Sequence, residues 1–123
     1  VVRFSEEVSQ AVPLRQGVPQ GTCLGPFVWC SFVDVLLQEL AERCPKVQVL
    51  AYVDDLALTC EYEENTKSEA QAQLQHASDI VSDFCKASNV ELSPGKCAYT
   101  VFQTEFACEL DELRLTGSGE SLV

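Results

Sequence analysis

The spacing of apolar and polar positions divides the chain into two long helical stretches and several short strands. Residues 1–4 and 9–14 read as two short strands joined around the polar Ser5-Glu6-Glu7. Residues 15–26 hold three glycines and two prolines, which no helix or strand interior tolerates, so a loop is expected there. A helix is predicted over residues 26–43, because Pro26 suits a first helical position and Pro45 stops what precedes it. Phe27, Val28, Trp29, Phe32, Val33, Val35, Leu36, Leu37 and Leu40 cover most of its circumference, leaving Asp34, Gln38 and Glu42 as one narrow polar stripe. Such a helix is expected to pack on more than one side, with Asp34 facing solvent.

Residues 47–52 and 56–60 read as strands flanking Val53-Asp54-Asp55, which predicts a hairpin with a carboxylate pair at its tip. A second helix is predicted from Thr66, where Thr66-Lys67-Ser68-Glu69 has the pattern of a capping box. Ala70, Leu74, Ala77, Val81, Phe84 and Ser88 recur at steps of four and three and define one buried stripe, so this helix is expected to lie on a sheet. His76 and Gln71, Gln73 and Gln75 fall off that stripe and read as surface residues. Asn89 closes the helix, Leu92-Ser93-Pro94-Gly95-Lys96 reads as a turn, and residues 97–102 as an apolar strand. A further strand is expected at Leu113-Arg114-Leu115-Thr116, before a loose end at Gly117-Ser118-Gly119.

With 123 residues, 46% of them hydrophobic, the chain has material for one modest domain with a core. No run of about 18 apolar residues is present, so no membrane span is expected. The absence of methionine, and an N-terminus without the basic-then-apolar order of a signal peptide, make this read as an interior piece of something longer. The seven cysteines form no CxxC pair and have no histidine at ligand spacing; they read as reduced core residues of an intracellular protein rather than a zinc site. The net charge of −11 argues against this chain alone gripping a polyanion, since phosphate binding draws on Lys and Arg.

The Asp54-Asp55 pair then needs a cause, because aspartate is disfavoured in strands and like charges side by side repel. A bound cation is the usual remedy, and carboxylate oxygens suit Mg²⁺ or Mn²⁺. Two such ions close together can stabilise the attacking and leaving oxygens of a phosphoryl transfer, but they normally need a further carboxylate, and the chain offers no obvious one. In the preceding loop, glycines let backbone approach a ligand and neutral glutamines both donate and accept hydrogen bonds. A plain connecting loop has the same composition.

Taken in order, Gln16-Gly17-Val18-Pro19-Gln20-Gly21-Thr22-Cys23-Leu24-Gly25-Pro26, then Tyr52-Val53-Asp54-Asp55, then Leu92-Ser93-Pro94-Gly95-Lys96 resembles the palm of a reverse transcriptase. The likeness is to enzymes of retrotransposons that lack long terminal repeats, and it covers about positions 12 to 102. It implies an α+β fold in which a palm-like antiparallel sheet packs against two helices. It also implies that Asp54 is a metal ligand, with Asp55 ligating or supporting it, and that Tyr52 lies beside the primer terminus. Pro19, Gln20 and Gly21 would border the pocket for the incoming nucleotide and the template. Lys96 would stand near the departing pyrophosphate, although a solvated lysine after a turn has the same sequence.

The implied activity is RNA-directed DNA polymerisation, with an RNA template, a DNA primer and deoxynucleoside triphosphates as partners of the full-length enzyme, and a nuclear location. The family places another catalytic aspartate on a strand before the Gln-Gly loop. Residues 1–123 therefore read as a partial palm domain without that strand, the fingers or the thumb, and inactive by itself. The alternative expectation is a non-catalytic palm-like remnant or interaction module of a decayed retrotransposon.

Overall fold

The computed structural model describes residues 1, 3–13, 17–102, 113–114 and 121–122. It has an α+β architecture built from short antiparallel ladders and two long helices. Two compact units are defined, Val1–Val33 and Asp34–Val123.

In the first unit, β1 (Arg3–Phe4) pairs antiparallel with β2 (Glu7–Val8). The strand expected at residues 9–14 does not form: Glu7 turns back at once, and residues 9–13 carry no ladder, while Leu14 lies outside the described residues. Helix α1 (Gly25–Arg43) starts one residue before the predicted point and ends at the predicted one. Its first half is less covered than the sequence suggests, with Phe27 71% exposed and Val28 also exposed. Trp29 and Phe32 meet at a centroid distance of 5.6 Å, so part of that apolar surface is satisfied within the helix itself.

The core belongs to the second unit. Leu36 and Leu40 from the last turns of α1 join Cys44 and Val47, and meet Ala77 and Ile80 of α2 (Lys67–Ala87). The chain between them forms β3 (Gln48–Tyr52) and β4 (Asp55–Thr59), paired antiparallel with Val49 opposite Leu58 and Ala51 opposite Leu56. Directly opposed residues share a face. Val49, Leu56 and Leu58 accordingly pack against the core, together with Leu74, Val81 and Phe84 of α2. The predicted stripe of α2 is thus on the covered side, but Ile80, Ser82 and Cys85 are also buried. The buried arc is wider than one stripe because α2 meets side chains from both α1 and the hairpin.

Several local expectations are corrected. The capping box does not form: Thr66 Oγ1 accepts from Glu63 N at 2.9 Å and donates to Glu63 O, while Glu69 is ion-paired with Lys46. A cation 23 residues away takes the carboxylate that the cap would have used. Residues 97–102 form no strand, although Cys97 is extended, and no strand among the described residues pairs with them. Gln71, Gln73 and Gln75 are half-buried rather than on the open surface, and Gln75 Nε2 donates to Asp79 Oδ1 at 2.9 Å. Of the cysteines, Cys44 and Cys85 are buried and burial raises both thiol pKa values, whereas Cys23 and Cys30 are exposed; Cys108 lies outside the described residues.

Other readings hold. Asp34 is exposed and accepts from Gln38 Nε2 at 2.7 Å, and His76 is exposed. Asn89, at φ 53°, ends α2 with two bonds, Asn89 N to Lys86 O and Val90 N to Cys85 O. These are the paired bonds of a Schellman motif. Leu113–Arg114 pairs antiparallel with Ser121–Leu122; Leu115, Thr116 and the Gly117-Ser118-Gly119 stretch lie outside the described residues. Among the described residues, no helix is long and apolar enough to cross a membrane.

Candidate functional site

The β3–β4 register fixes the hairpin tip. Tyr52 pairs with Asp55, so the loop is two residues long, Val53 and Asp54, and Asp55 is already in the ladder rather than in the turn. Val53 has φ 54° and Asp54 does not have a positive φ. A two-residue loop with a left-handed first residue is the pattern of a II′ turn, whose twist matches that of paired strands and which normally takes glycine there. A β-branched residue in this conformation costs on the order of 1–3 kcal/mol. The sequence reading put three residues at the tip and missed this strain, because the two-residue loop that demands positive φ at its first position is fixed by the strand register and has no glycine to mark it.

Asp55 lies on the outer face of the hairpin with Tyr52, and the next pair on that face is Leu50 opposite Ala57. Leu50 is 71% and Tyr52 75% exposed. Asp54 and Asp55 are both exposed, and neither carboxylate is engaged by a hydrogen bond or ion pair among the described residues. Each has oxygen lone pairs open to solvent or a ligand. Two adjacent carboxylates fit part of the shell of a hard divalent cation, which completes its coordination with water and substrate oxygens. Among the described residues, no group of three or more His, Cys, Asp or Glu side chains is placed to hold a metal ion.

The glycine-rich loop belongs to the first unit. Thr22 N donates to Pro19 O at 3.4 Å, and Gly21 has φ 86°. Pro19-Gln20-Gly21-Thr22 is thus a turn with a left-handed third residue, the position where type II turns require glycine. A Cβ at Gly21 would meet nothing within 4 Å, so backbone conformation rather than space selects glycine there. Gln20 stands exposed at the corner of that turn. A second turn, Gly25 N to Thr22 O at 3.1 Å, leads directly into α1.

Lys96 ends a single 3₁₀ turn, Pro94–Lys96, held by Lys96 N to Ser93 O and Cys97 N to Pro94 O. Its side chain is exposed and makes no ion pair among the described residues. The structure defines the hairpin pair with Tyr52, the Gln20-Gly21 turn and Lys96 each in its local setting.

The family described as reverse transcriptase (RNA-dependent DNA polymerase) matches residues 2–117. The chain is 50% identical over 61 residues to a 115 kDa protein in the type-1 retrotransposable element R1DM of Drosophila melanogaster, covering 50% of the chain and 6% of that protein. It is 33% identical over 99 residues to an RNA-directed DNA polymerase from transposon BS of Drosophila melanogaster, covering 78% of the chain and 11% of that protein. It is also 33% identical over 96 residues to an RNA-directed DNA polymerase from the mobile element jockey of Drosophila funebris, covering 72% of the chain and 10% of that protein. The chain thus spans about a tenth or less of the length of these relatives. No solved structure matches it significantly.

Proposed function

Since the chain belongs to the reverse transcriptase family, we propose that it is the palm portion of an RNA-directed DNA polymerase encoded by a retrotransposon without long terminal repeats. The observation that carries this reading is the unengaged Asp54-Asp55 pair, set at and beside the turn of a hairpin whose other face is fixed to the core. The reaction would be attack of a primer 3′-hydroxyl on the α-phosphate of a deoxynucleoside triphosphate, directed by an RNA template, with release of pyrophosphate.

Asp54 and Asp55 would hold Mg²⁺ or Mn²⁺, which when bound supplies charge stabilisation at the attacking and leaving oxygens. Tyr52, on the same face as Asp55, would bound the place of the primer terminus. Gln20, at the corner of its turn, would hydrogen-bond nucleotide or template with a neutral side chain that does not compete for a cation. Pro19 and Gly21 hold that corner: Pro19 supplies the accepting carbonyl and Gly21 the left-handed backbone. Lys96 would place a cation or a proton donor at the departing pyrophosphate.

The test is primer extension on an RNA template by the full-length polypeptide that contains this segment, comparing the parent with Asp54→Asn. The substitution keeps shape and removes charge, and should lower extension on the order of 100-fold or more. Equal extension by the two proteins would remove Asp54 from the reaction and favour a non-catalytic role for the segment.

A further inference from the structure

We draw no further inference here: the strongest candidate, the shallow cleft lined by Cys60, Lys46 and Glu69 where the end of β4 meets the first turn of α2, carries nothing because a single cysteine beside an ion pair already satisfied by its own partner points to no ligand.

Discussion

Val53 shows how a single residue sets the geometry of the candidate site. Its left-handed backbone places Asp54 at the turn and starts the ladder at Asp55, so the two carboxylates hold different backbone positions although they are neighbours in sequence. Val53→Gly removes the steric conflict but adds disorder to the unfolded chain, worth about 0.5–1 kcal/mol. Relief of strain on the order of 1–3 kcal/mol outweighs that, so the variant should unfold at a higher urea concentration. A lower midpoint would show that the valine side chain contributes more than its backbone costs. Gly21 presents the opposite case, because its φ of 86° suits glycine and a Cβ there meets open space. Gly21→Ala should therefore lose stability through the backbone alone, on the order of 1–2 kcal/mol, measurable in the same denaturant experiment.

At the scale of elements, the hairpin depends on the helices behind it. Leu40 is fully buried between α1 and its neighbours, and Leu40→Ala should cost about 2–5 kcal/mol through lost burial and the cavity left behind. Thermal unfolding checks this, with Val35→Ala, at an exposed position of the same helix, as the near-neutral control. The end of α2 uses Asn89 in the left-handed conformation, which asparagine adopts at lower cost than a β-branched residue does. The start of α2 is tied to the segment before β3 by Lys46 and Glu69. Lys46 holds the Glu69 carboxyl below its ordinary range, and Glu69 holds the Lys46 ammonium above its own. The carboxylate contribution is therefore present above the unfolded value, about pH 4.3, and lost as pH falls through the lower folded value. The ammonium contribution is present below about pH 10.4 and lost as pH rises through the higher folded value. Both groups are exposed, so the effect should be small and weaken with salt; Glu69→Gln should flatten the acid limb of a stability–pH curve.

For the molecule as a whole, apolar side chains remain uncovered on separate elements: Leu24 and Phe27 in the first unit, and Leu50, Tyr52 and Val53 at the hairpin in the second. The purified 123-residue chain is expected to bind a hydrophobic dye and to associate as its concentration rises, and a dye-silent monomer in sedimentation would contradict that exposure. Much of the architecture was legible beforehand because periodicity is a local property. The 3.6-residue spacing of Ala70, Leu74 and Ala77 marks α2, and the short apolar runs on both sides of the aspartates mark β3 and β4. The order of the glycine loop, the Tyr-Val-Asp-Asp box and Lys96 was enough to indicate the family that residues 2–117 match. What the sequence could not determine are choices between competing partners. Thr66 and Glu69 satisfy a capping pattern, yet Lys46, brought close only by folding, takes the carboxylate. Residues 97–102 have strand composition but no pairing strand among the described residues, and identical cysteine side chains end buried at Cys44 and exposed at Cys30. For Asp54-Asp55, sequence alone set the chemistry, two hard oxygen donors side by side. Tertiary structure decided its presentation, because burial of Val49, Leu56 and Leu58 on one face leaves Tyr52 and Asp55 on the other.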